Sequence, residues 1–225
     1  MNAFASTEYR FTTGLRAGET AHVRGASDEV LLTYRSFASI VGVVAAFLAG
    51  IVAIAGAAGV VLLVYQGAPL RAGIAFVLTV AFAILIAMLV PRTNVTLYEE
   101  NRPALTISQR AVFPSATYIV ATPNGATLAE LRKSFLSRLG RNRWTITHDG
   151  RYLGEAREES FSGAILRKLF GKFSRRFETN VRITYGGMEV GRILRRPTDV
   201  LELASDALDR RVAVALAVMV LGREP

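Results

Sequence analysis

The sequence predicts a membrane-anchored α+β protein: an N-terminal transmembrane helical hairpin followed by an antiparallel β-barrel that encloses a hydrophobic C-terminal helix. Three observations carry this. Two long uncharged stretches stand in the first half of the chain, four strand-turn-strand pairs follow them, and a short apolar run follows those.

The uncharged stretches come first. No Asp, Glu, Lys or Arg occurs from Phe37 to Tyr65, nor from Ala72 to Val90. Crossing a bilayer takes about 20 apolar residues, and a helix with no polar face is not a surface helix of a soluble protein. "QGAPLR" between them reads as a tight polar turn, so residues 37–91 are expected to form a hairpin with spans at about 37–65 and 72–90. A cleaved signal peptide would have its apolar region close to the N-terminus, whereas this run begins only after 36 residues and a second span follows it. Gly42, Ala46 and Gly50 form a row of small residues at four-residue spacing. Such a row lets helices approach closely in lipid, either within the hairpin or in a homodimer.

Charge sets the expected orientation. Arg24 and Arg35 precede the first span, Arg92, Arg102 and Arg110 follow the second, and the turn holds only Arg71. Positively charged flanks stay on the cytoplasmic side, so both termini are expected to be cytoplasmic and the protein integral to the cell (plasma or inner) membrane. Residues 1–36 read as a flexible cytoplasmic arm or a short interfacial helix. The net charge is +9, and nearly all of it lies beyond Arg92. A basic domain beside a bilayer points to anionic lipid headgroups, and no recognition-helix or base-stacking motif points to nucleic acid.

Beyond Pro91 the pattern alternates in twos. "VTLYE" and "ALTISQ" flank "ENRP"; "ATYIVA" and "ATLAELR" flank a turn with Asn124-Gly125. "RWTITH" and "RYLGEARE" flank Asp149-Gly150, and "NVRITY" and "MEVGRILRR" flank Gly186-Gly187. Asn-Gly, Asp-Gly and Gly-Gly between alternating runs are strong hairpin signals. Eight strands are expected between Val95 and Arg195, in one meandering sheet over residues 92–225. In "PTDVLELASDALDRR" a helix is expected from about 199 to 221, with Asp199, Glu202, Asp206 and Asp209 on one face. Beyond Arg211, "VAVALAVMVL" is apolar all round and rises only about 15 Å. It needs enclosure, and a closed sheet supplies it while leaving no unpaired edge.

These pieces, "LYEENRPALTISQ", "YIVATPNGATLAELR", "WTITHDGRYLGEA", "ITYGGMEVGRI" and "ASDALDRRVAVALAVMV", run from about 95 to 221. In pattern and order they resemble the tubby C-terminal-like superfamily, which includes the phospholipid scramblases and the LURP-one-related proteins. The resemblance implies a barrel of up to a dozen strands around a hydrophobic helix, used to bind membranes or phosphoinositides. The chain shows no run resembling the scramblase calcium-binding segment and has no cysteine for palmitoylation.

The candidate membrane contact is "SFSGAILRKLFGKFSRRF". Phe161, Ile165, Leu169 and Phe173 recur every four residues, with Phe170 among them, and Arg167, Lys168, Lys172, Arg175 and Arg176 add five positive charges. Basic, aromatic and amphipathic together describe a membrane-surface element; the bland alternative is a solvated connection packed on the barrel. "RKSFLSRLGRNR" forms a second basic cluster with Arg132, Lys133, Arg138, Arg141 and Arg143. The four acids of the expected helix face favour capping over metal binding, and no metal or other cofactor is expected. No nucleophile motif, metal triad or phosphate loop accompanies them, so no catalysis is expected. The functional expectation is a non-catalytic module binding anionic lipid or a membrane partner; a scramblase-like lipid transporter and a structural component of an envelope complex are the alternatives.

Overall fold

A computed structural model describes residues 3–12, 20–38, 40–89, 93–112, 114–134, 142–159, 180–195 and 198–222. Three strands precede the apolar helices: β1 (Glu8–Phe11), β2 (Thr20–Arg24) and β3 (Val30–Ala38). The helices α1 (Ile40–Tyr65) and α2 (Pro69–Leu89) come next. The chain then returns to strands β4 (Thr93–Glu99), β5 (Arg102–Ala111), β6 (Ser115–Ala121) and β7 (Thr127–Ser134). β8 (Arg143–His148), β9 (Arg151–Glu158), β10 (Val181–Tyr185), β11 (Met188–Leu194) and β12 (Asp199–Leu203) follow, and α3 (Arg210–Leu221) closes the series. Each strand pairs antiparallel with its sequence neighbours, and β1 pairs with β12, so these twelve strands form one closed barrel.

The eight strands expected from the alternating pattern are β4 to β11. Glycine takes the left-handed backbone at the turns joining β6 to β7, β8 to β9 and β10 to β11, at Gly125, Gly150, Gly186 and Gly187, a conformation that costs glycine nothing and side-chain-bearing residues about 1 kcal/mol or more. Four more strands were not expected. The flexible arm over 1–36 is corrected: Tyr9, Phe11, Ala21, Val23, Leu32 and Tyr34 alternate into the core, and this burial is what orders three strands, of four, five and nine residues. The helix expected from 199 is corrected too. Asp199, Leu201 and Leu203 face inward with a period of two, and the helix begins only at Arg210.

The helical hairpin therefore does not precede the barrel; it is inserted between β3 and β4. Phe37 and Ala38, expected in the first span, belong to β3, and α2 begins earlier than expected, at Pro69, whose fixed φ suits a first helical turn. The β3–β4 ladder continues to the pair Ala38↔Thr93, so the ladder reaches the root of the hairpin.

α3 threads the barrel lengthwise over about 18 Å. None of Val212 to Val218 exceeds 2% exposure. They share one cluster with inward residues of the surrounding strands, including Leu97, Leu105, Ile146, Ile183 and Leu201. An all-apolar helix is stable here because the wall covers every face. Its N-terminus is capped by Asp209, whose Oδ1 accepts the Arg211 amide at 2.9 Å. At its other end the Arg195 guanidinium donates to the Val220 carbonyl, answering one of the carbonyls a helix leaves unpaired.

Candidate functional site

Antiparallel alternation sorts every connection to one end of the barrel or the other. The links after β1, β3, β5, β7, β9 and β11 share one end, which is also where α1 and α2 are rooted. The remaining links share the opposite, distal end, with the entry to α3. Charge follows the same division. The distal links carry Asp28, Glu29, Glu100, Asp149, Asp206 and Asp209 and no Lys or Arg. In sequence, the hairpin-end links hold Arg16, Arg92, Arg138, Arg141, Arg167, Lys168, Lys172, Arg175, Arg176, Arg195 and Arg196 against Glu19, Glu159 and Glu178.

The expected membrane contacts Phe161, Arg167, Lys168, Phe170, Lys172, Phe173, Arg175 and Arg176 lie outside the described residues. Their tethers are described: β9 ends at Glu158 and β10 begins at Val181, both at the hairpin end. Of the second cluster, Arg138 and Arg141 also lie outside the described residues. Its described members do not form one outer face. Arg132 is exposed, and Arg143 is exposed and bonded through Nε to Glu155 Oε2 at 2.7 Å. Lys133 turns inward, 4% exposed, with its Nζ 5.2 Å from the Trp144 ring centre. A cation over an indole face is favourable, the more so when desolvated.

Lys133 belongs to a set that the sequence reading missed. Among the described residues the buried charged side chains are Lys133, Glu158 and Asp199. Lys133 and Glu158 are near the ends of β7 and β9, and Asp199 opens β12, so all three face inward at the hairpin end. Glu158 accepts from the Asn142 amide at 2.9 Å and from Asn142 Nδ2 at 3.0 Å. Tyr118 stacks near Trp144, ring centres 5.8 Å apart. Burial pushes the Tyr34 hydroxyl up to about 12, and the Asp199 carboxylate adds to the shift. The signal was present as parity, since Ala129, Leu131 and Lys133 alternate inward together, but the basic run around Lys133 concealed it.

The four acids expected on one helix face are dispersed. Asp199 is buried in β12 and Glu202 is exposed on it, Asp206 pairs with Arg210 at 2.6 Å, and Asp209 caps α3. Among the described residues no group of His, Asp and Glu is arranged to hold a metal ion.

Both helices of the hairpin are long and apolar enough to cross a membrane, over Gly42–Tyr65 and Pro69–Ile86. Their close approach is at Gly56, where an added Cβ would lie 2.3 Å from Thr79 Cγ2. The row Gly42, Ala46, Gly50 is not this contact: Ala46 is exposed, and a Cβ added at Gly50 would meet nothing of the other helix within 4 Å. The barrel wall has a different surface. Its outward positions carry ion pairs, such as Arg10 with Glu8 at 2.8 Å and Arg182 with Glu189 at 3.2 Å. A lipid-facing barrel wall would be an apolar band, so this one faces water.

No family model, curated protein or solved structure matches the chain.

Proposed function

We propose that the protein is an integral membrane protein whose basic, water-facing barrel lies on the cytoplasmic leaflet and binds anionic lipid headgroups, without catalysing a reaction. One observation carries the reading: both apolar helices and all the long basic connections leave the same end of the barrel. The connectors are short. One residue separates β3 from α1 and three separate α2 from β4, and a residue spans at most about 3.6 Å. The headgroup layer is about 5–7 Å deep on each side, so a hairpin that spans the bilayer holds the barrel's basic end at the headgroups. Each Lys or Arg there contributes about 1 kcal/mol against an anionic leaflet. The positive end beside the spans supports a cytoplasmic barrel. An all-antiparallel barrel on an axial apolar helix also agrees with the tubby-like resemblance, and we include membership of that superfamily in the proposal.

The Ala38↔Thr93 pair supplies the experiment. Residues 39–92 are replaced by Asn-Gly, which closes a two-residue β-hairpin, and the resulting barrel is sedimented with vesicles. It is expected to bind phosphatidylserine-containing vesicles, to release in high salt, and to ignore phosphatidylcholine alone. Substituting Lys168, Lys172, Arg175 and Arg176 with Gln weakens binding by roughly 10²-fold or more at about 1 kcal/mol per charge. Equal binding to neutral and anionic vesicles overturns the reading.

A further inference from the structure

The distal end of the barrel carries a second surface that the lipid-binding reading does not use. A groove of about 220 Å³ opens there between the start of β3 and the β4–β5 turn. Val30, Leu31 and Tyr98 give it apolar sides, and Glu99, Glu100 and Asn101 line its rim. Glu99 is oriented by the Ala3 amide, which donates to its Oε1 at 2.8 Å. Glu100 and Asn101 adopt left-handed backbone, with φ of 48° and 66°, and both are exposed.

Two features say what the groove takes. Outside the helical hairpin, the large apolar side chains exposed among the described residues are Val30, Phe37, Tyr152 and Met188. Val30, Tyr152 and Met188 of these stand at the distal end, and Val30 lines the groove. Secondly, the charged residues of the distal links are all acidic, in the β2–β3, β4–β5 and β8–β9 turns and before α3, and the neighbouring Arg24 is held by Asp28 at 2.9 Å. Arg102, the register partner of Glu99, is the cation beside the rim. Apolar walls under a carboxylate rim accept the aliphatic stem and cationic head of a Lys or Arg side chain. The negative sign disfavours an anionic bilayer or a nucleic acid.

We propose that the distal groove docks a basic, apolar segment of a second protein, while the opposite end engages the membrane. The docking chemistry stands on the groove itself; only its presentation to the cytoplasm rests on the lipid-facing orientation argued above. The barrel then bridges the membrane surface to a cationic partner.

The test uses the full chain in neutral detergent, where the groove is accessible whatever the orientation in a membrane. The probe is a fluorescein-labelled Leu-Arg-Leu-Lys-Leu peptide amide, read by anisotropy, with Leu-Glu-Leu-Glu-Leu as its counterpart. Saturable binding of the basic peptide alone is expected. The E99Q/E100Q variant weakens it about tenfold, as losing two partly exposed charge contacts does, and V30S weakens it as well. A benzoylphenylalanine in the basic peptide is expected to cross-link to residues 30–33 and 98–101. Gln at position 99 keeps an acceptor for the Ala3 amide; if the double variant nonetheless loses its melting transition, E100Q alone carries the measurement. Unchanged affinity in the variant, equal binding of the acidic peptide, or no saturable binding at millimolar peptide overturns the proposal. Gln at Lys168, Lys172, Arg175 and Arg176 leaves peptide binding intact, so vesicle binding and peptide docking fail or succeed separately.

Discussion

Asp209 links the local code to the core. Its backbone leaves the helical region, and its carboxylate takes the Arg211 amide at 2.9 Å and the Arg211 guanidinium at 2.7 Å. Burial by itself would raise this carboxyl, but those hydrogen bonds and the Arg211 charge outweigh it and hold it below the usual carboxylate range. A carboxyl with a lowered folded pKa contributes stability that is complete above the unfolded value and lost as pH falls through the folded one. D209A is therefore expected to lower stability by about 1 kcal/mol at neutral pH. The gap in melting temperature between wild type and D209A should be constant above about pH 5 and close as the pH falls further. A gap that widens in acid would assign Asp209 another role.

The elements are stabilised in two different ways. α3 depends on complete enclosure: Ala215 is 0% exposed, so an Asp there meets no water and no partner. A215D is expected to cost more than about 4 kcal/mol and abolish the barrel's cooperative melting; retention of a native transition would contradict the axial placement. In the hairpin the contact that matters is Gly56 against Thr79, whose Oγ1 donates to the Ala75 carbonyl at 2.8 Å. G56I should force the two helices apart and cost about 1–3 kcal/mol, seen as a lower melting temperature in detergent. G50I should leave the hairpin unchanged, because no atom lies within 4 Å of its added Cβ. If the Gly42, Ala46 and Gly50 row joins two copies, G50I abolishes the cross-linked dimer; a dimer that persists removes that role.

At the scale of the molecule the barrel is discontinuous in sequence. β1 to β3 come before the helical hairpin, and β1 supplies the closing contacts to β12 through pairs from Glu8↔Glu202 to Phe11↔Asp199. A fragment of residues 92–225 lacks three strands and exposes the edges of β4 and β12, so it is expected to aggregate. The chain with residues 39–92 replaced by Asn-Gly is expected to be soluble, with a cooperative transition by circular dichroism. Cooperative folding of the fragment and failure of the excised chain would reverse this account of the topology.

What the sequence determined by itself is local. Length without charge specified α1 and α2, alternation about the short turn at 100–101 specified β4 and β5, and left-handed turns at Gly125, Gly150, Gly186 and Gly187 with alternating flanks specified β6 to β11. The uniform apolarity of Val212 to Leu221 required an enclosing wall. β1, β2 and β12, at four or five residues each, carry too little pattern to be recognised alone; they are strands because partners distant in the chain bury them. Tertiary structure alone decided that the hairpin is an insertion. It also decided that Lys133, Glu158 and Asp199 face inward at one end of the barrel, and that basic links share the hairpin's end while acidic turns take the other. The physical reason is the closed antiparallel ring: each added strand reverses the chain, so strand parity, which no single segment records, chooses the end at which each charge emerges.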